Sequence, residues 1–379
     1  MLYHMPTAVI FAPGAISELG GIARDKLHSS RPLLVTDKGI LKAGIAERVL
    51  AQLPAIPAFD DVEQNPKHTT VDRGGAVARE FKPDLIIGLG GGSVLDAAKA
   101  IALLATNPGR IEDYEGRERY KAGPLPVLAI PTTCGTGSEV TWVAVITHTG
   151  RQFKMSVKGP LMYPAVALVD PDLLITLPPH LVASTGLDAL THAVEAFTVK
   201  PASPITDTLA LEALRLIFRS LPEAYLDIKN NAEARESLML GSLMAGMAFG
   251  NSDVGAVHCL AESVGSLYDT PHGVANAVFL PYVMEFNLEA AEAKYARVAS
   301  VAGIEAGNQR EAARRLIAKI KEISRGLSIP SFRELNIPEG DLPLIAQKSF
   351  QNNSNSSNPR EASAEHYFDI LRRASQAEV

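Results

Sequence analysis

The chain has 379 residues, 46% apolar and 21% charged, a balance typical of a globular protein long enough for two domains. A net charge of −6 gives no positive field for a polyanion, so nucleic acid is not an expected partner. Because the sequence contains neither a membrane-length apolar run nor a signal peptide pattern, and its two cysteines build no disulfide framework, we expect a cytoplasmic protein without a membrane partner.

The first half of the chain alternates short apolar runs with helical patterns. Strands are predicted at 33–37, 84–88, 127–130 and 165–169. Continuous apolar strands that alternate with helices are typical of a parallel sheet covered on both faces. We therefore expect an α/β domain over residues 1–178.

The second half has helical periodicity and no further strand-like runs. Helices are predicted at 203–221, 233–249, 254–267 and 310–325. The boundary is placed at Pro178-Pro179, because this pair fits neither a helix interior nor a central strand. Residues 179–379 should thus form an all-helical domain, in which the polar run 351–358 is expected to be a surface loop.

A glycine-rich turn follows the second predicted strand and opens a helix. Its residues Gly90, Gly91, Gly92 and Ser93 would present backbone amides to an anion, and Asp96 could tie the turn together. The spacing differs from G-x-G-x-x-G, and a tight strand-to-helix turn without a ligand is the alternative.

Two other strand ends carry polar residues. Asp37 closes the first predicted strand, where a carboxylate could accept hydrogen bonds from a ribose diol; an ordinary Asp-Lys-Gly turn is the alternative. The loop 131–139, with Thr132 and Thr133, could surround a nucleotide base or simply cap a helix.

Four residues of the helical half form a ligand set for a divalent transition metal. Asp188 and His192 are one helical turn apart and share a face, and His258 and His272 supply two further imidazoles. One carboxylate with three imidazoles suits Fe(II) or Zn(II). An exposed Asp–His pair on an amphipathic helix is the alternative for the first two.

Longer motifs resemble the iron-containing, or group III, alcohol dehydrogenases along the whole chain. The main ones are GLGGGSVLDAAKA, PTTCGTGSEVT, DPDLLITLPPHLVASTGLDALTHAVEAF and VHCLAESVGSLYDTPHGVANAVFLPY. The resemblance implies a Rossmann-like dinucleotide-binding domain, then an all-helical metal-binding domain as in dehydroquinate synthase-like proteins, with the active site in the cleft between them.

The resemblance also implies roles for individual residues. The metal, Fe(II) or alternatively Zn(II), would be held by Asp188, His192, His258 and His272. The cofactor NAD would be held by Asp37, Asn65, Gly90, Gly91, Gly92, Ser93, Asp96, Thr132, Thr133 and Lys154. Asp37 would bind the adenosine ribose and favour NAD over NADP.

The sequence departs from the family at Glu262, where many members carry another histidine. Glu262 lies four residues after His258, on the same helix face. It could act as an acid/base group, orient His258, or be a buried glutamate paired with a cation. We take Glu262 and His272 as the candidate catalytic residues.

The implied activity is NAD-dependent oxidation of a primary or small alcohol, or reduction of the aldehyde, in a homodimer. Alternatives are a glycerol dehydrogenase-like polyol oxidoreductase, a maleylacetate reductase-like enzyme and, last, a non-catalytic assembly module. The four ligand positions are all present, which disfavours the last two.

Overall fold

The computed structural model describes residues 2–53 and 55–377. These residues divide into two compact units. The α/β unit comprises His4–Thr133 and Gly137–Leu177, and the helical unit comprises Cys134–Thr136 and the chain from Pro178 onward, with a short N-terminal segment.

The α/β unit contains nine strands and five α-helices within its described residues. The strands are β1 (Ala8–Phe11), β2 (Pro32–Val35), β3 (Ala58–Phe59), β4 (Leu85–Gly90), β5 (Gly116–Arg117), β6 (Val127–Pro131), β7 (Val143–His148), β8 (Phe153–Lys158) and β9 (Val166–Val169). The helices are α1 (Leu19–Gly21), α2 (Lys38–Lys42), α3 (Ile45–Gln52), α4 (His68–Phe81) and α5 (Gly92–Thr106).

The main sheet is parallel, in the order β1-β9-β6-β4-β2-β3. Alternate residues of its central strands enter two different cores, since Leu33 and Ile86 belong to one apolar cluster while Leu34 and Ile87 belong to the other. Both sheet faces are therefore buried, as continuous apolar strands require. The predicted α/β fold class is confirmed.

The sequence prediction missed the short outer strands β1 and β3 and the antiparallel pair β7–β8. The pattern of β7 mixes buried and partly exposed positions, so its sequence VAVITH lacks the fully buried signature of the central strands. Pairing with β8, rather than burial on both faces, is what establishes this strand.

The helical unit contains eight α-helices in the portion the structure describes. They are α6 (Pro179–Thr198), α7 (Pro204–Asp227), α8 (Ala232–Ser252), α9 (Ala256–Tyr268), α10 (His272–Val301), α11 (Gln309–Gly326), α12 (Leu342–Phe350) and α13 (Ala364–Gln376). The helix α6 is buried from Gly186 to its end and packs against α7, α8 and α10. Among the described residues, no helix combines the length and hydropathy of a membrane-spanning segment.

The sequence predicts a surface loop at 351–358, but part of this polar run is buried. Ser354, Ser357 and Asn358 are buried there. The side chains of Ser354 and Ser357 donate to Asp253, and Asn358 accepts from the amide of Ala256. The short polar side chains of this run therefore form hydrogen bonds with the chain segment that leads into α9.

Candidate metal centre

The four predicted metal ligands come together from three helices of the helical unit. Asp188 and His192 lie one turn apart on α6, His258 lies in the first turn of α9, and His272 is the first residue of α10. One potential ligand atom of each lies within 4.8 Å of those of the others. A Cβ at Gly273 would stand 2.4 Å from the backbone oxygen of Ser184, so the glycine permits the close approach of α10 to α6.

The distances between these side chains are short. The Nε2 atoms of His192 and His258 are 3.0 Å apart, and Nε2 of His272 is 3.8 Å from Oδ1 of Asp188. The amide of Asn276 lies against the same atoms, with Nδ2 2.6 Å from Oδ1 of Asp188 and 3.1 Å from the Nε2 atoms of both His258 and His272.

The protonation states of Asp188 and His192 favour cation binding. Burial would raise the pKa of Asp188, but the imidazoles of His192, His272 and His258 and the amide of Asn276 hold it below its ordinary value. Burial lowers the pKa of His192 to about 4, which keeps this imidazole neutral. The ring of Phe249 stacks on His192 with centroids 4.2 Å apart.

His258 is held by a carboxylate that the sequence analysis did not single out. Glu195, on α6, accepts from Nδ1 of His258 at 2.5 Å. Burial would lower the pKa of His258, but the Glu195 carboxylate outweighs burial, with smaller contributions from Asp188 and Glu262, so the pKa is raised. Glu195, rather than Glu262, is therefore the carboxylate that contacts Nδ1 of His258.

The donor set fits a divalent metal. Asp188, His192 and His258 are buried, yet their acceptor atoms and that of His272 face one another. The two hydrogens of the Asn276 amide meet three of these acceptors, so hydrogen bonding from this amide cannot satisfy them all. A single cation would satisfy the four acceptors together, and the three-nitrogen, one-oxygen set suits Fe(II) or Zn(II).

A second group of metal-ligand type side chains occurs in the α/β unit, formed by His68, Glu112 and His148. The two imidazole rings are stacked, with centroids 4.3 Å apart and planes 13° from parallel. Since an imidazole nitrogen binds a metal in its ring plane, stacked rings cannot aim at one ion. The geometry favours a hydrogen bond between Nε2 of His148 and Glu112, 3.0 Å apart.

Three predicted cofactor segments of the α/β unit end neighbouring parallel strands at the same sheet edge. The glycine turn follows β4, Asp37 follows β2, and Thr132 follows β6. Gly91 is the N-cap of α5, so Gly92 and Ser93 occupy its first turn, where amides lack intrahelical partners. Thr133 lies against Gly91, since a Cβ there would be 3.2 Å from Cγ2 of Thr133.

Asp96 is engaged away from the glycine turn. Its carboxylate accepts from the hydroxyl of Ser138 at 2.6 Å and from the amide of Val145 at 3.0 Å, and it lies 3.1 Å from Nζ of Lys99. These bonds join α5 to the loop and strand that follow β6. The turn's own amides are not among these partners, contrary to the sequence-based expectation.

Other predicted cofactor residues also have protein partners. Nζ of Lys154 donates to Oδ1 of Asn65 at 2.5 Å, and both side chains are buried. Asp37 caps α2, since its Oδ1 accepts from the amide of Ile40 at 2.9 Å. The hydroxyl of Thr132 is different, because it is buried without a hydrogen-bond partner among the described residues.

Glu262 is partly exposed, and its Oε2 accepts from the amide of Asn352 at 2.6 Å. The partner Asn352 belongs to the polar run 351–358, for which the sequence predicts a surface loop. The partial exposure of Glu262 differs from the burial assumed in one of the predicted alternatives.

Comparisons with known proteins identify the family. The family described as iron-containing alcohol dehydrogenase matches residues 6–171, and the C-terminal family of Fe-containing alcohol dehydrogenases matches residues 182–375. The chain belongs to the iron-containing alcohol dehydrogenase family. Both the resemblance and the oxidoreductase class inferred from the sequence are confirmed.

Relatives of this iron-containing alcohol dehydrogenase match over almost their full length. A 1,3-propanediol dehydrogenase of Klebsiella pneumoniae is 41% identical, covering 98% of each chain. An NAD-dependent methanol dehydrogenase of Bacillus methanolicus is 36% identical, covering 98% of this chain and 99% of the relative. A crystal structure of 1,3-propanediol oxidoreductase superimposes with a TM-score of 0.95 at 41% identity, covering 98% of this chain and 99% of the other.

Neither Glu195 nor Asn276 of this alcohol dehydrogenase was predicted from the sequence to be a site residue. A local signal existed for Glu195, which lies one turn after His192 within the otherwise apolar run AVEAF. Asn276 lies one turn after His272 and faces the same way. A buried polar residue one turn from a ligand is a pattern that sequence reasoning can use.

Proposed function

We propose that this alcohol dehydrogenase uses NAD and a divalent metal, iron by family or zinc alternatively, to interconvert small primary alcohols and their aldehydes. The supporting observation is the buried cluster of Asp188, His192, His258 and His272 in a chain of this family. Two relatives, a methanol dehydrogenase and a 1,3-propanediol dehydrogenase, favour short alcohols, diols included.

The bound metal would supply Lewis acidity, which lowers the pKa of an alcohol or polarises a carbonyl. The chain's part is to hold it with Asp188 and three imidazoles, of which His192 stays neutral. Phe249 covers one face of His192 and keeps water from it. The His272 side chain is 27% exposed, against 2% for Asp188, so substrate would approach the cluster from the His272 side.

NAD would supply the nicotinamide that exchanges a hydride with the substrate carbon. We propose that the first-turn amides of α5, at Gly92 and Ser93, bind its pyrophosphate, with Gly90 and Gly91 allowing close approach. Asp37 would accept hydrogen bonds from the ribose. The unpartnered hydroxyl of Thr132, with Thr133 beside it, would meet the adenine.

We propose that Asn65, Lys154 and Asp96 also contact the cofactor and that each has a structural role as well. Asn65 and Lys154 hold each other, so they would meet the cofactor as a fixed pair. Asp96 would act by fixing the loop after β6 through Ser138.

We also propose that Glu262 exchanges a proton with the substrate or with solvent, since it is partly exposed and shares the His258 face of α9. We propose further that the protein is a homodimer and is located in the cytoplasm. The cytoplasmic location is supported by two cysteines that are buried and form no disulfide among the described residues.

The proposal is tested with metal-free protein assayed on a panel of alcohols and aldehydes with NAD(H), with and without added Fe(II) or Zn(II). We expect turnover of short primary alcohols that depends on added metal. Preference for glycerol would favour a polyol oxidoreductase. Absence of metal binding and of NAD binding would contradict the enzyme assignment.

A further inference from the structure

The carboxylate of Glu195 binds two donors at the start of one helix. Its Oε1 accepts from the backbone amide of Val257 at 2.8 Å, and its Oε2 accepts from Nδ1 of His258 at 2.5 Å. Glu195 is only 4% exposed, so water does not substitute for either contact. A Cβ at Gly255, the N-cap of α9, would stand 3.0 Å from Oε1, so the glycine leaves room for the carboxylate.

The contact with His258 determines which ring nitrogen faces the metal cluster. A carboxylate only accepts, so Nδ1 of His258 must carry the hydrogen in this contact. In a neutral imidazole, Nε2 then has the lone pair, and Nε2 is the atom that lies 3.0 Å from Nε2 of His192. The same contact fixes the rotation of the ring.

The contact with Val257 fixes the helix that carries the ligand. The first amides of an α-helix have no intrahelical partners, and a carboxylate at this end stabilises them. Since His258 directly follows Val257, one side chain of α6 sets both the beginning of α9 and the orientation of its ligand. Asp188 and His192 lie on the same helix as Glu195, which links three ligands rigidly.

We propose that Glu195 is a positioning residue of the metal centre, holding the start of α9 with one oxygen and His258 in its metal-binding tautomer with the other. This inference rests on the proposed metal site and adds a requirement to it. The four ligands alone would not give full metal affinity without this carboxylate.

Glu195→Gln is the informative variant because an amide has only one acceptor oxygen, whereas the carboxylate accepts from both Val257 and His258. If its oxygen faces Val257, its NH₂ group faces Nδ1 of His258, which must then become the acceptor. The hydrogen of the neutral ring moves to Nε2, where it blocks metal binding. If its oxygen faces His258 instead, the NH₂ group opposes the Val257 amide and the helix start is disturbed.

The test is a Co(II) titration of metal-free wild-type and E195Q protein, followed by visible d–d absorption. We expect E195Q to bind Co(II) about 10- to 100-fold more weakly and to show an altered absorption spectrum. Equal affinity and an identical spectrum would overturn the inference. If E195Q does not fold, E195D is titrated instead, since the shorter side chain reaches only one donor and should also lose affinity; unchanged affinity would overturn the inference.

Asp253→Asn is the matched control. Asp253 accepts hydrogen bonds from the amide of Val254 and the hydroxyls of Ser354 and Ser357, which hold the segment before α9. Like Glu195→Gln, this substitution changes a carboxylate to an amide. We expect D253N to lower the thermal unfolding midpoint while keeping Co(II) affinity within about threefold of wild type. Equal losses of affinity in D253N and E195Q would show that Glu195 acts only on the helix start, and would overturn its role in setting the tautomer.

The outcomes separate this inference from the proposed function. If wild-type protein binds no Co(II) and needs no metal for turnover, both fail. If wild-type protein binds metal and turns over alcohol but E195Q matches it, only the role of Glu195 fails.

Discussion

A buried carboxyl group in the helical unit and one in the α/β unit have pKa values shifted in opposite directions. Asp188 lies among three imidazoles and an amide, which hold its pKa below the ordinary value despite burial. Glu139, in the loop after β6, is also buried, but burial raises its pKa to about 7, because Lys99 and its own backbone compensate only in part. Burial is common to both, so the surrounding groups decide which carboxylate stays ionised.

The same contrast holds for the predicted binding residues. In the helical unit the ligand atoms converge. The two hydrogens of the Asn276 amide are too few to bond all of these acceptors, which favours an added cation. In the α/β unit, Asp96, Lys154 and Asn65 already have protein partners. Residues predicted to bind the cofactor there also hold the unit together, so their replacement affects stability as well as binding.

The largest expected effect follows loss of a ligand from the helical unit. His272→Ala should lower kcat by about a thousandfold or more, because the centre loses one of four ligands and the Lewis acid with it. Metal content, measured by elemental analysis, should fall in parallel. His180→Ala is the matched control, because His180 is an exposed histidine on α6 outside the cluster. Full metal occupancy in H272A would contradict its role as a ligand.

A smaller effect is expected at Glu262, beside the centre but outside the ligand set. Glu262→Gln retains an acceptor for Asn352 and removes the titrating group, so kcat should fall roughly a hundredfold and one limb of the pH–rate profile should disappear. The measurement is kcat and kcat/KM across pH. An unchanged profile would leave Glu262 as a structural partner of Asn352.

In the α/β unit, Asp37 tests whether a residue can both cap a helix and select the cofactor. Asp37→Ser removes the charge and keeps an N-cap hydroxyl, whereas Asp37→Ala removes both. Both variants should raise the NADPH/NADH ratio of kcat/KM about tenfold, because a 2′-phosphate no longer meets a carboxylate. Only D37A should lose about 0.5–2 kcal/mol of stability. An unchanged cofactor ratio in both would remove the ribose assignment.

The smallest effect concerns the pH dependence of stability at Glu139. Its pKa rises from 4.5 when exposed to about 7 in the folded chain, so the folded state binds the proton more tightly. Glu139 should therefore make stability decline as pH rises from 4.5 through 7, and Glu139→Gln should abolish that decline. In urea unfolding, the free energy of unfolding of E139Q minus that of wild type should increase by on the order of 1–3 kcal/mol between pH 4.5 and pH 7.5. Parallel pH dependence in the two proteins would contradict the pKa of Glu139.

The parts predicted from the sequence are those with strong local patterns. Central strands such as β4 and β6 are continuous apolar runs, and Asp188 with His192 repeats at one helical turn. The helix α10, although the longest described, was not predicted, because its first turn contains Gly273 and its interior contains Pro281. Glycine and proline both disfavour a helix interior, so a sequence pattern that contains them does not predict one long helix.

The remaining features depend on packing between segments far apart in the chain. Glu195 meets His258 only because α6 and α9 pack together, and Asn352 meets Glu262 across 90 residues. Asp96 was correctly placed one turn into α5, but its partners come from the loop and strand after β6. No local pattern contains those contacts.

The most direct test of the metal centre is an anaerobic Fe(II) titration of the metal-free protein, with NAD-dependent oxidation of a short primary alcohol as the measured quantity. If Asp188, His192, His258 and His272 form the catalytic metal site, activity should start near zero, rise linearly and saturate at about one equivalent of metal per chain. Full activity in the metal-free protein, unchanged on adding Fe(II), would contradict the account.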